Sequence, residues 1–455
     1  MKLLNGLLVS MLSMASTTYS KETPLHKPTG PHHVTYTQGI FNHTTLDDFT
    51  APNGTGVGTF LLVSIFAPTA SVPNQTVRYM DDANAQLWEE ALGFPTSSLS
   101  SLVTELQYGA PILSNATSHN PTLLFLPGAG LPTLAYTAYL TELASHGHTI
   151  ITIDHPGEPP YLSLPSSLGG GGIRSAFAPF TSYAWTIPQL QKIYAYRLTD
   201  AAAVLSSPTY LRSLHRTLSS LGPAPPLNLT HLSIFGHSIG GAAAAGLIAQ
   251  SQSESESPPG HTALPTILAG ANLDGWFFFN IHDIFPSAPP ANTSSSSSSS
   301  PSSPYPDLSP APFLELARSG PGATSAFPSG ILAPDATWTN FSAAQTGWLR
   351  DVALNGTEHM DFSDVPLWVD VLGLRGSVRS PDGTFLGSIA GRRVTEVVVR
   401  FLRGFLGFGG SGGGGRGGNR GEGGLSAVDE LVKEIPEAYV RESQDCAGVY
   451  VDRGL

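Results

Sequence analysis

The chain has 455 residues, of which 12% are charged, with a net charge of −12 and one cysteine. An acidic chain of low charge density lacks the basic surface that nucleic acid requires, and a lone cysteine forms no internal disulfide. A chain this long without covalent staples rests on its apolar core, which favours a large α/β domain over a small cross-linked scaffold.

Met1-Lys-Leu-Leu opens a short cationic start, followed by an apolar run to about Met14. Residues 1–20 read as a secretory signal with its cleavage point within 16–20, because the run is shorter than the roughly 20 residues that span a bilayer. Eight of the fourteen asparagines begin N-x-S/T: Asn42, Asn53, Asn74, Asn115, Asn228, Asn292, Asn340 and Asn355. In a secreted protein these are glycosylation acceptors, each expected on a surface loop. Residues 21–54 are polar, with Pro and His, and read as an extended N-terminal segment ahead of a domain over 55–408.

Within that domain, Gly58–Phe66 and Pro121–Leu126 read as buried strands, the second ending in Pro127-Gly-Ala-Gly130. A helical pattern runs through Tyr136, Tyr139, Leu140 and Leu143 and stops at Gly147. Thr149–Ile153 is a strand, and residues from Ile187 to about Leu221 are mostly helical. Leu229–Phe235 is a strand, Ile239–Gln250 a helix, Leu264–Leu273 a strand, and Arg393–Leu406 the last helix of the domain. Strands alternating with helices predict an α/β fold with a mostly parallel central sheet covered on both faces. The serine run Ser294–Ser300 marks a disordered surface loop near 287–305, and 409–424 is a Gly-rich linker. Residues 425–455 form a tail in which Ala427–Glu434 reads as a short helix. Cys446 lies in that polar tail, which argues against a thiol nucleophile.

The segment Gly236-His-Ser-Ile-Gly240 is a G-x-S-x-G. The pattern alone decides nothing, since Gly409-Gly-Ser-Gly-Gly413 fits it equally, inside a glycine tract. Ser238 differs in context: a predicted strand precedes it and an Ala-rich helix follows, as a nucleophile elbow requires. The glycines suit a strained turn whose helix starts hard against neighbouring strands. A serine nucleophile needs a histidine base, and the base needs an orienting carboxylate. Beyond residue 274 only His282 and His359 remain, and His282 is too close in sequence to Asp274 to return across the sheet. His359, after a short apolar piece read as the last strand, is the preferred base. Among nine carboxylates between Ser238 and His359, Asp274 ends a predicted strand, where sites in open α/β sheets form. Asp335, Asp351, Glu254 and Glu256 are weaker candidates for the acid.

Acyl transfer also needs donors for an oxyanion. The backbone N–H of Ile239 is one. The other belongs to the loop at Pro127–Gly130, at Ala129 or alternatively Gly128. Gly128-x-Gly130 with Asp154 downstream also approaches a dinucleotide-binding βαβ unit, but the third glycine is replaced by Thr133. That reading leaves Ser238, Asp274 and His359 unused. No HExxH, paired cysteines or Walker loop is present, so the sequence implies no cofactor and no metal. Trp276 and Phe277, next to the acid, are candidates either for an acyl pocket or for core packing. His155 and His237 are read as structural residues near the mouth of the site.

Four segments in order resemble the platelet-activating-factor acetylhydrolase family, a branch of the α/β-hydrolase phospholipases. They are "ELASHGHTIITIDHPG", "FGHSIGGA", "NLDGW" and "GTEHMDFSD", within roughly 58–405. The donor loop departs from that family's pattern, with Pro127-Gly128 where His-Gly is frequent. The resemblance implies an α/β-hydrolase fold and a metal-independent esterase that cleaves short or oxidised sn-2 acyl groups from phospholipids. Its implied triad is Ser238, Asp274 and His359, with transient contact to a lipid surface. A general secreted carboxylesterase acting on small or polymeric esters would use the same triad, and a catalytically silent binding protein is the remote alternative.

Overall fold

Thr122-Leu-Leu-Phe-Leu126 and Thr149-Ile-Ile-Thr-Ile-Asp154 are buried at every position, the pattern of strands covered on both faces. The structure, a computed structural model, describes residues 22–113, 121–175, 186–218, 227–229, 232–254, 264–278, 305–319, 334–378, 385–406 and 422–445. The signal segment, Asn115, Asn292, Glu256, His282, the serine run, the glycine linker with its G-x-S-x-G, and Cys446 lie outside them.

Among the described residues the main sheet has ten strands: β1 His33–Thr45, β2 Gly58–Thr69, β3 Gln107–Tyr108, β4 Thr122–Leu126, β5 Thr149–Asp154, β6 Leu232–His237, β7 Ile267–Leu273, β8 Phe313–Arg318, β9 Leu349–Leu354 and β10 Ala438–Gln444. Their spatial order is β10-β9-β8-β7-β6-β4-β5-β2-β1-β3. From β9 through β5 every pairing is parallel, while β2 joins β5 and β1 antiparallel and β10 joins β9 antiparallel.

Alternate side chains of the strands enter two apolar cores. Leu123 and Phe125 of β4 pack on one face with helices α1 Asp82–Leu92, α2 Thr137–Ser145, α7 Val365–Val371 and α8 Gly391–Leu406. Leu124 and Leu126 pack on the other with α3 Ile187–Leu205, α4 Pro208–Arg216, α5 Ile239–Glu254 and α6 Pro334–Ala343. The all-small stretch Ala242–Ala245 is fully buried and seats α5 directly on the sheet.

Two segments expected to stand apart belong to this sheet. Residues 33–45 form its longest strand, β1, paired residue for residue with β2 from His33↔Thr69 to Asn42↔Phe60. Its polarity is that of a strand whose side chains alternate between buried and exposed, with Thr35 and Thr37 buried. The C-terminal residues supply helix α9 Glu422–Glu434 and then β10, the edge strand beside β9. Leu425, Val428 and Ile435 pack into the first core, and Arg350 of β9 reaches Asp429 and Asp445. Strand β8 has no counterpart in the sequence reading.

The described acceptor asparagines are not all on loops. Asn42 lies on β1 and Asn340 on α6, both exposed; Asn74 and Asn355 are exposed, and Asn228 is half-buried. Asn53 sits in a short 3-10 turn. Strand edges and helix surfaces satisfy the exposure requirement as well as loops do.

Candidate active site

Strand β6 ends at His237, and Ser238 turns into α5 with a φ of +55°. That conformation is costly for a residue with a Cβ and persists only where its surroundings enforce it. They do so here. The Ser238 N–H extends the ladder to the Leu273 carbonyl at 2.8 Å, and the Ser238 carbonyl accepts from Gly241 and Ala242 as α5 begins. A Cβ on Gly236 would collide with Gly240, and one on Gly240 with the Leu126 carbonyl. The turn is therefore accessible only to glycine at these two positions, for the packing reason anticipated from the sequence.

Asp274 occupies the matching place on the next strand. It follows β7, has φ +52°, and donates its N–H to the Leu316 carbonyl at 2.9 Å. Its Oδ2 lies 2.6 Å from His359 Nδ1, and its Oδ1 accepts the Arg318 backbone N–H at 3.1 Å. Burial alone would raise this carboxyl. The Arg318 guanidinium, with Nε 3.5 Å from Oδ2, and the His359 hydrogen bond outweigh it and hold Asp274 below the usual range. An ionised Asp274 fixes the proton of His359 on Nδ1 and leaves Nε2 as a base.

His359 opens a 3-10 turn, His359–Phe362, five residues beyond β9. Asp361 ties the turn by accepting from the N–H groups of Glu358 and Gly387 at 2.8 and 2.7 Å. Asp364 accepts the Ala138 N–H at 2.7 Å and contacts the Tyr79 hydroxyl at 2.5 Å, and Tyr139 donates to the Asp361 carbonyl at 2.9 Å. The turn is thus pinned to α2.

A buried hydrogen-bonded chain lies behind these residues. His237 Nε2 is 3.0 Å from the His359 carbonyl, and His237 Nδ1 is 2.7 Å from the Tyr136 hydroxyl. Burial, with His359 adjacent, pushes the His237 pKa well down, so the ring is neutral. A carbonyl can only accept; hence Nε2 carries the proton and Nδ1 accepts from Tyr136. The Tyr136 oxygen in turn accepts the Gly128 N–H at 3.0 Å. His237, read from the sequence as merely structural, holds the main chain of the candidate base.

The same contacts bear on the oxyanion donors. Gly128's N–H is occupied by Tyr136, and Gly130's by Glu158 at 3.0 Å. Among the described residues the Ala129 N–H of this loop has no hydrogen-bond partner, and Ile239, first residue of α5, has no helical partner for its own. Gly128 is therefore the weaker of the two donors considered, and Ala129 with Ile239 is the pair left available. Both side chains join a small apolar cluster with Leu190, Ile193, Tyr196 and the half-buried Trp276. Phe277 departs from the pocket role: it is fully buried in the second core, stacked on Phe341 with ring centroids 3.9 Å apart. The chain alternates sides at this point, so only one of two successive aromatics can face the site.

The other sequence candidates lie elsewhere. Asp351 is buried in β9 and paired with Arg441 at 2.9 Å. Asp335 and Glu254 fall within helices α6 and α5, not at the end of a strand as Asp274 does. Asp154, the residue a dinucleotide ribose would need, is buried and accepts the Thr133 N–H at 2.6 Å. His155 packs against Asp200, with Nε2 3.2 Å from Oδ2. Sequence reasoning missed Tyr136, Glu158, Arg197 and Arg318, each a single polar residue whose partner is distant in sequence. No group of three or more metal-ligating side chains occurs among the described residues.

No protein-family model matches the sequence, and no curated protein matches it. Among solved structures, the chain is similar to a ferulic acid esterase from Streptomyces cinnamoneus. The TM-score is 0.59 at 21% identity, over 92% of this chain and 99% of that one. With its parallel sheet, its two covered faces and the serine turn after β6, the chain has the α/β-hydrolase fold.

Proposed function

We propose that this protein is a serine carboxylic ester hydrolase with Ser238 as nucleophile, His359 as base and Asp274 as its orienting acid. The observation that carries the reading is the pairing of His359 Nδ1 with an ionised Asp274, one strand away from a serine held at positive φ. In this reading Ser238 gives its proton to His359 Nε2 as its oxygen attacks the ester carbonyl. The N–H groups of Ala129 and Ile239 receive the developing oxyanion, each contributing on the order of 3 kcal/mol. His359 then protonates the departing alcohol, and water attacks the acyl-enzyme with His359 again as base. The similar structure's description as a ferulic acid esterase supports ester hydrolysis as the chemistry.

For the substrate, we infer short or oxidised sn-2 acyl esters of phospholipids, supported by the four resembling segments and by the apolar cluster of Trp276, Leu190 and Ile193 beside the two donors. A general carboxylesterase acting on small or polymeric esters is the second reading, and the ferulic acid esterase similarity favours it. The protein is further proposed to be secreted and glycosylated, in keeping with the exposure of Asn42, Asn74, Asn340 and Asn355. A panel of phosphatidylcholines of increasing sn-2 length, set beside 4-nitrophenyl acetate and methyl ferulate, separates the two readings. Higher kcat/KM on the short-acyl phospholipids supports the first, and higher kcat/KM on the simple esters supports the second.

A further inference from the structure

We propose that Arg197 and Glu158 form a clamp that aims the oxyanion donor of Ala129, an inference that rests on the esterase reading above. The two side chains are buried, with Arg197 2% and Glu158 2% exposed, and neither belongs to the triad. Arg197 comes from α3 and Glu158 from the loop after β5, so they meet from different parts of the chain. Burial alone would neutralise both. Each instead holds the other charged: Glu158 is lowered by the guanidinium, and Arg197 is raised by the carboxylate.

What the pair grips is the donor loop. Arg197 Nη1 donates to the Pro127 carbonyl, and Nη2 donates to the Gly128 carbonyl at 3.1 Å and to Glu158 Oε1. Glu158 Oε1 accepts the Gly130 N–H at 3.0 Å, and its Oε2 accepts from the Tyr196 hydroxyl at 3.0 Å. The clamp thus touches the loop immediately before and immediately after Ala129. The Gly128 carbonyl and the Ala129 N–H belong to one planar, trans peptide unit. Holding the carbonyl oxygen therefore fixes the opposite direction in which the Ala129 N–H points. A positive charge on that oxygen also polarises the peptide, which strengthens the same N–H as a donor. Tyr136 completes the arrangement by taking the Gly128 N–H out of competition. Arg197 and Glu158 are positioning residues: they reach the reacting carbonyl only through the peptide at Ala129.

A residue that acts on an oxyanion donor changes kcat and leaves substrate binding alone. The test compares wild type, Arg197→Lys, Glu158→Gln and Tyr196→Phe on 4-nitrophenyl acetate, with active sites counted by a fluorophosphonate probe. Lysine loses the two-pronged grip on the carbonyls, and kcat per active site is expected to fall tenfold to a hundredfold, with KM within about twofold. A trifluoromethyl ketone, which forms a tetrahedral oxyanion on the serine, should weaken by the same factor as kcat/KM. Tyr196→Phe is nearly isosteric and keeps the charged pair, so it covers the case in which the charge variants do not fold; a threefold to tenfold fall in kcat is expected. Kcat per active site within twofold of wild type in every folded variant, or a rise in KM at constant kcat, overturns the clamp while the esterase reading stands. Wild type with neither turnover nor labelling overturns both.

Discussion

Ser238 and Asp274 are a matched pair: each is the first residue past one of two adjacent parallel strands, and each has a left-handed backbone, with φ of +55° and +52°. Their N–H groups continue the sheet ladder, to the carbonyls of Leu273 and Leu316. The strands thus end in two equivalent sharp turns that bring a hydroxyl and a carboxylate to the same edge of the sheet. The histidine that Asp274 holds comes from a third turn, and through its carbonyl it is tied back to His237, the neighbour of Ser238.

The Asp274–His359 bond sets the proton on Nδ1. Asp274→Asn removes that preference and lets the ring adopt the wrong tautomer, so kcat is expected to fall by about 10⁴-fold with the fold retained. Steady-state kinetics alongside a thermal melt checks it; a loss below tenfold would remove Asp274 from the triad.

Tyr136→Phe leaves the Gly128 N–H and His237 Nδ1 buried without their shared partner. Each orphaned group costs about 1–3 kcal/mol, so urea unfolding should show a loss of about 2–6 kcal/mol for the two together. Kcat should drop roughly tenfold with the base's support loosened. Unchanged stability would mean that the chain from Gly128 to His359 is not intact in solution.

Burial raises the Asp364 carboxyl from an unfolded value of 3.8 to about 7. The folded state then binds its proton more tightly than the unfolded state. Its contribution to stability is full below about pH 4 and is lost as pH rises through about 7, at about 1.4 kcal/mol per unit of difference. Asp154 and Asp361, each raised to about 6, act in the same direction. Asp364→Asn should therefore flatten the fall in melting temperature between pH 4 and pH 7. An unaltered slope would show that Asp364 is ionised in the folded protein.

Removal of residues 409–455 takes away α9 and the edge strand β10. Strand β9 then becomes an open edge, and the part of α8 that α9 covers is exposed. The shortened chain should melt several degrees lower or aggregate. A melting temperature equal to wild type would contradict the placement of this segment in the sheet.

Much of this architecture is legible in the sequence because parallel strands announce themselves as unbroken apolar runs. Thr122–Leu126 and Thr149–Asp154 are such runs, and each is flanked by glycines or prolines. Strand β1 is not legible in that way: it lies one place from the edge, and its Thr, Gln and His side chains hide the alternation. Strand β10 reads as Ala-Tyr-Val-Arg-Glu-Ser-Gln and gains its place from pairing with β9 and from the Arg441–Asp351 ion pair, neither of which is a local signal. The candidate triad stands out because each member terminates a strand or follows one closely. Arg197 and Glu158 do not, since a charge pair between α3 and a loop 39 residues away leaves no pattern in the sequence.

In the proposed chemistry Ser238 is an activated nucleophile, and the decisive measurement is labelling by a fluorophosphonate with the modified residue read by mass spectrometry. One label per chain on Ser238 is expected, with loss of hydrolysis in step with labelling, and no label or turnover in a folded Ser238→Ala. A folded wild type that takes no label, or a Ser238→Ala that hydrolyses esters at the wild-type rate, would contradict it.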